Sequence, residues 1–260
     1  MGSDGYLGYR DGDADTPFPM FFNPEIAPLP SHVVDTLNHG PQAGPTLPDF
    51  DDVAAILDKG YQQTENGYGV LRDGGIQVSV RTDMPASLQR CGTGGSAGNG
   101  SDSRRYKLWH PRAHVSAQWS ENGGGGGYVG RTSLVQEYLG SAFSRPAIQF
   151  VEPSVVGLGG VGDDDAAICA RLGSSDIPVD VGWLVHYVRP KPGGAEMRSR
   201  FWMGGRHVAV RKGNRLTDVV IRPIAAQQLP DPRDLMVHCA QEMNHLAGFL
   251  PDLYDRFGNA

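Results

Sequence analysis

The sequence predicts an α+β protein in which a largely antiparallel sheet is closed by a long C-terminal helix. Three observations carry that reading. Runs rich in β-branched and aromatic residues are separated by turn signals. One stretch near the end has apolar residues at helical spacing. No alternating β/α series is present of the kind that builds a parallel sheet.

The elements follow in order. Residues 1–48, rich in Pro, Gly and Asp ("DGDADTPFPMFFNPEIAPLP"), read as an extended arm whose Phe18, Phe21 and Phe22 pack onto the main body, with 49–260 as one domain. "PDFDDVAAILDKGYQ" sets an Asp cluster ahead of "VAAIL", which suits a helix N-terminus because carboxylates complement the positive end of the helix dipole. "GYGVLRDGGIQVSVRTDMP" alternates around Asp-Gly-Gly, a hairpin signal. Further strand-like runs are "RYKLWHPRAHVSAQW", "AIQFVEP", "DVGWLVHYVRP", "MRSRFWMGG" and "LTDVVIRPI". "DPRDLMVHCAQEMNHLAGFLPDLYDRF" is the helix. Gly-rich runs at 92–100 and 123–127 read as loops, and no internal repeat is visible.

Composition narrows the classes. With 260 residues and 39% hydrophobic content, the chain can bury a core. The net charge of -6 is spread along it, with no basic stripe to track a phosphate backbone, which argues against nucleic acid as a partner. Cys91, Cys169 and Cys239 are too scattered for a disulfide framework, and the N-terminus lacks a signal-peptide pattern, so a reduced, cytoplasmic setting is expected. No run approaches the roughly 18 apolar residues of a membrane span. The chain begins Met-Gly, but Tyr6 stands where a myristoylation signal has Ser or Thr.

The chemistry-bearing residues lie in three segments. In "HCAQEMNHL", His238 and Glu242 are four apart and share one helix face, with His245 on a neighbouring one. That pair is either half of a metal site or an ordinary polar face. In "YKLWHPRAHVSAQW", His110 and His114 share a face if the segment is a strand, although Pro111 bends it. One or both can be ligands, or one a core histidine and the other a surface one. In "GYVGRTSLVQEYLG", Glu137 sits among apolar neighbours, where a carboxylate usually has a partner. Two His and two Glu would form a site suited to zinc, with an open position for water or substrate. "GLGGVG", Gly157–Gly162, matches a dinucleotide fingerprint, but Asp163, Asp164 and Asp165 follow where a pyrophosphate would be received, so it reads as a loop.

Together, "YKLWHPRAHVSAQW", "YVGRTSLVQEYLG", "LVHYVRP", "EMRSRFWMGG" and "HCAQEMNHLAGFLPDLY", in that order from about residue 65 to the C-terminus, resemble the 2,4-diacetylphloroglucinol hydrolase family, which includes phloretin hydrolases. The resemblance implies a Bet v 1-like helix-grip fold, with a curved antiparallel sheet and the long C-terminal helix across it. It implies zinc-dependent cleavage of the carbon–carbon bond between an acyl group and a phloroglucinol-type ring. It implies His114, Glu137, His238 and Glu242 as Zn2+ ligands, His110 being the alternative to His114. Tyr106 and His186 fall where pocket residues are expected, Tyr106 to hold a ring hydroxyl and His186 to meet the acyl oxygen or deliver a proton. Arg198 and Arg200 read as surface or structural ion-pairing residues. The implied partner is a small acylated polyphenol, and a homodimer is allowed. The rival readings are a non-catalytic or disabled helix-grip binder of an aromatic ligand, and a nucleotide-dependent oxidoreductase.

One segment departs from that pattern. Where relatives are expected to carry a Trp-rich stretch such as MWDWWFGW, the chain has "CGTGGSAG" from Cys91. ATG TGG GAC TGG TGG TTC GGC TGG encodes the former, and reading from its second base gives TGT GGG ACT GGT GGT TCG GCT GG, the latter. We therefore read about residues 88–99 as a local frameshift, compensated near Asn99, which resequencing the coding DNA tests.

Overall fold

A computed structural model describes residues 10, 12–84, 102–120, 127–227 and 229–257. The segment read as a frameshift lies outside the described residues. Phe18 packs edge-on against Phe257, and Phe21 meets Phe249 and Phe257, so these arm aromatics do lie against the C-terminal helices. The arm also contains a helix that its Pro and Gly content did not suggest, α1 (Ser31–His39).

The Asp-Gly-Gly signal forms its hairpin: β1 (Gly67–Val70) and β2 (Ile76–Met84) pair antiparallel, with Gly74 at φ 79° in the turn, a left-handed backbone that glycine tolerates. The "VAAIL" segment is helical, but as a 3-10 helix, Phe50–Leu57, started by the Asp49 side chain accepting from the Asp51 N–H. The remaining strands are β3 (His114–Trp119), β4 (Thr132–Leu139), β5 (Ala142–Ser144), β6 (Pro146–Val151), β7 (Ala166–Ser174), β8 (Val179–Lys191), β9 (Gly194–Met203) and β10 (Ala209–Val210). They make one ten-stranded antiparallel sheet in the order β1-β2-β9-β8-β7-β6-β4-β3, with β5 beside β4 and β10 beside β8.

Of the segments read as strands, "LTDVVIRPI" and the first part of "RYKLWHPRAHVSAQW" are helical, while "HVSAQW" in the latter is β3. "SRRYKLW" is α2 (Ser103–Trp109), begun by the Asp102 carboxylate accepting from the Arg104 N–H. "LTDVVIRPI" lies within α3 (Arg215–Ala226), whose start is a capping box between Asn214 and Thr217. The C-terminal stretch forms α4 (Pro232–Ala247) and α5 (Leu250–Phe257), broken at Gly248. Asp231 caps α4 and Pro232 supplies its first turn, where a missing N–H is harmless. Gly157–Gly162 is a loop leading into strand β7, so no helix N-terminus stands there to receive a pyrophosphate.

The curved sheet grips α4, giving the α+β helix-grip arrangement. Leu235, Cys239, Met243 and Leu246 on the helix meet Val78, Ile168, Leu184 and Phe201 from the concave face in one core cluster. Strands β2, β7, β8 and β9 are largely buried on both sides. Alternate residues Val185, Tyr187 and Trp202 face the convex side and pack under Val53 and Ile56 of the 50–57 helix. Also on that side, Arg198 and Arg200 pair with the Glu65 carboxylate at 2.5 and 2.6 Å, so both arginines do form ion pairs, but buried ones. Among the described residues, no helix is long and apolar enough to cross a membrane.

Candidate metal centre and cavity

Two residue pairs converge at one end of the space between sheet and helix. His114 opens β3 directly opposite Glu137 on β4, a cross-strand pair whose side chains stand together. His238 and Glu242 are one turn apart on α4, on the face that the sheet covers. The two imidazole Nε2 atoms are 3.3 Å apart. His114 Nε2 is 3.7 Å from Glu137 Oε2 and 3.6 Å from Glu242 Oε1. His238 Nε2 is 3.6 Å from Glu137 Oε2 and 3.9 Å from Glu242 Oε2. The ligand atoms of His114, His238 and Glu242 all lie within 4.8 Å of one another, a group able to hold a metal ion.

The chemistry of this group fits a cation. His114 Nδ1 donates to the Tyr106 carbonyl at 2.8 Å, and His238 makes its own hydrogen bond to the Tyr138 backbone. With one ring nitrogen of each spent on backbone, the facing Nε2 atoms present lone pairs to each other, a repulsive contact unless a positive charge lies between them. Donors held about 2.0–2.1 Å from a common tetrahedral centre stand about 3.3–3.5 Å apart, close to the observed spacing. Electrostatics agree. Burial pushes the Glu137 carboxyl up to about 7, and burial together with Glu137 pushes Glu242 well above the carboxylate range. Burial lowers His238 to about 4 and, aided by His238 and His110, lowers His114 well below its ordinary value. Left alone, all four groups are driven neutral; a bound cation would restore both carboxylates.

Tyr106 sits behind this cluster. Its hydroxyl donates to Glu137 Oε2, and its ring stacks on His114 with centroids 3.7 Å apart. Burial first, then the Glu137 charge, holds the phenol protonated. His110 is not among the converging donors: it caps α2, stacks on the His238 ring at 4.9 Å and hydrogen-bonds Gln241. His110 and His114 therefore do not share a strand, because the chain turns between them, with the His114 N–H bonded to the His110 carbonyl. His245 faces the arm, its Nδ1 accepting from the Ala27 N–H at 3.1 Å.

The cluster opens on a cavity of about 590 Å³, of the size that takes a drug-sized ligand. Its walls are largely apolar, with Val135, Ile168, Leu184, Phe201 and Met243 among them. Tyr106, Glu137, His186, His238 and Glu242 supply polar groups. His186 is buried, lies opposite Ser199 across β8 and β9, and shares a 2.7 Å hydrogen bond with its hydroxyl.

The family model for the DAPG hydrolase PhiG domain matches residues 47–255. The chain belongs to this family. It is 27% identical to a 2,4-diacetylphloroglucinol hydrolase of a Pseudomonas species, over 93% of this chain and 88% of that one. It is 24% identical to the phloretin hydrolase of Eubacterium ramulus, over 95% of this chain and 93% of that one. Among solved structures it is similar to Ara h 8.0201, with a TM-score of 0.37 at 11% identity, over 66% of this chain and 99% of that one. The sequence did not single out Ser199 or Cys239, whose side chains lie in line with His186 from β9 and α4; their residue types carried no signal.

Proposed function

We propose that the chain is a zinc-dependent hydrolase that cleaves the carbon–carbon bond between an acyl group and a phloroglucinol-type ring. The net reaction adds water across that bond: the hydroxyl stays on the acyl carbon as a carboxylic acid, and the bonding pair with a proton goes to the ring carbon. Family membership and the activities for which the relatives are named support the reaction class. The observation that carries the metal is the pair of backbone-oriented imidazoles whose Nε2 atoms face each other at 3.3 Å beside two buried carboxylates. Held by His114, Glu137, His238 and Glu242, zinc would supply a Lewis acid for the acyl carbonyl and a site that acidifies water.

The protein's own groups divide the rest. Tyr106 steadies the Glu137 carboxylate and the His114 ring, so it serves the ligands first and reaches a ring hydroxyl only as a neighbour of the cavity. Apolar walls receive the aromatic ring and keep bulk water away. Burial lowers His186 to about 4, so at neutral pH it acts as an uncharged hydrogen-bonding group rather than an imidazolium acid. A reduced, cytoplasmic setting is part of the proposal, in keeping with Cys169 and Cys239 as buried free thiols.

The test is metal analysis of the purified protein beside His238→Ala and Glu242→Ala, followed by hydrolysis of 2,4-diacetylphloroglucinol and phloretin. About one zinc per chain, lost in both variants together with activity, is the expected result. A folded wild-type chain without metal or activity would replace the proposal with a non-catalytic aromatic-ligand binder.

A further inference from the structure

In the antiparallel register of β8 and β9, His186 and Ser199 stand directly opposite each other on the concave face. His186 Nδ1 and Ser199 Oγ are 2.7 Å apart, and the serine is fully buried. On the far side of Ser199, its hydroxyl is in hydrogen-bond contact with the Cys239 thiol on α4. Phe201 stands at a right angle to the imidazole, with ring centroids 6.1 Å apart and an interplanar angle of 89°, and brings no oxygen or nitrogen acceptor. His186 lines the cavity, so Nε2 is left to face it.

A neutral imidazole carries one N–H, and the nitrogen that bears it is set by what the other nitrogen does. Two directions satisfy the chain from Cys239 through Ser199 to His186. In the first, the thiol donates to Ser199 Oγ and the Ser199 O–H donates to Nδ1, which puts the ring proton on Nε2. In the second, Nδ1–H donates to Oγ and the hydroxyl proton must end on sulfur, a weak acceptor. The first direction ends on an imidazole nitrogen, the best acceptor of the three. We infer that Ser199, backed by Cys239, is a positioning residue that fixes His186 as its Nε2–H tautomer, so that an uncharged ring presents a hydrogen-bond donor to an oxygen of the bound substrate. This deepens the hydrolase reading and rests on it for the substrate's identity. Such a donor stabilises charge developing on a carbonyl or phenolic oxygen without giving up its proton.

Long-range proton–nitrogen NMR on the metal-loaded, 15N-histidine-labelled protein reads the tautomer directly, with His186→Asn assigning the signals among the eight histidines. The expected wild-type pattern has the proton on Nε2. Ser199→Ala should release the ring to a mixture of tautomers, whereas Ser199→Thr keeps a hydroxyl, suits a strand and should keep the Nε2–H form. With an acylphloroglucinol substrate, Ser199→Ala should lower kcat about tenfold with KM within about twofold, and Ser199→Thr should recover most of the loss. A wild-type proton on Nδ1, or an unchanged tautomer in Ser199→Ala, would overturn the inference. A wild-type Nε2–H ring in a protein without hydrolase activity would support the tautomer assignment and sink the hydrolase reading alone.

Discussion

Replacing Glu65 with Ala should destabilise the protein by about 3 to 4 kcal/mol. Its carboxylate accepts from Arg198 Nε at 2.9 Å, from Arg198 Nη2 at 2.5 Å and from Arg200 Nη2 at 2.6 Å. The arginine side chains are 0% and 1% exposed, so the variant strands two cations with only Gln62 and backbone carbonyls of Ile56 and Ser199 as partners. Removing one partner of a buried ion pair costs about 3 to 5 kcal/mol, and the 10% exposure of Glu65 places the expectation in the lower half of that range. Glu65→Gln keeps the shape and one acceptor oxygen and should cost about half as much. Urea denaturation followed by tryptophan fluorescence measures both, since Trp202 is buried on the same face. A loss below about 1 kcal/mol in Glu65→Ala would refute the reasoning. The pH dependence has a definite sign. Burial raises the Glu65 pKa, but the two guanidinium groups outweigh it and hold it below the carboxylate range. A depressed folded value means the stabilisation is present above the unfolded pKa and disappears as pH falls through the folded one. The gap between wild type and Glu65→Gln should thus be full above roughly pH 5 and shrink as pH falls from there through the lowered folded value.

Three further outcomes are expected. Zinc at about a hundred times its dissociation constant should stabilise the metal-free protein by about 2.7 kcal/mol, seen calorimetrically as a rise in Tm of roughly 5–10 °C; no rise would count against the His114, Glu137, His238 and Glu242 set. Tyr106→Phe removes the donor to Glu137 and should weaken metal affinity about 10- to 100-fold in a chelator competition, while affinity equal to wild type would show that the phenol does not steady the ligand. Gly182→Ala would put a Cβ 2.4 Å from the Trp202 carbonyl oxygen, within the β8–β9 ladder, and should cost at least about 2 kcal/mol by thermal unfolding; a stable variant would mean the two strands can separate without penalty.

The legible parts of the fold were those that local physics alone decides. Helix α4 announced itself through Leu235, Cys239, Met243 and Leu246 on one stripe behind Asp231-Pro232, and β1–β2 through Asp-Gly-Gly. Helices α2 and α3 were misread because Tyr106, Leu108, Val219, Val220 and Ile221 look strand-like; the signals that outvote them are the caps, Asp102 and the Asn214–Thr217 box. Strand β7 went unread because Ala166, Ala167, Ala170 and Gly173 have weak β preference, and pairing with β6 and β8 on both sides makes the strand. At the candidate site, the helical pair was visible as spacing, but the choice of His114 over His110 for the converging group depends on a turn and on a shift of register after His114, which no spacing rule contains. The Glu65 network was invisible for the same reason: its partners are more than 130 residues apart.

Strand β9 is a partition with incompatible contents on its two sides. Met197, Ser199, Phe201 and Met203 look toward the helix, while Arg198, Arg200 and Trp202 look outward beneath residues 50–65. Because strand side chains alternate, a slip of one residue against β8 would carry both guanidinium groups into the cavity and Ser199 out of it. Glu65 thereby works as a latch on alignment: the correct register is the one in which both arginines find it. A single-residue insertion or deletion in the Lys191–Gly194 turn should accordingly damage the cavity far more than its surface position suggests.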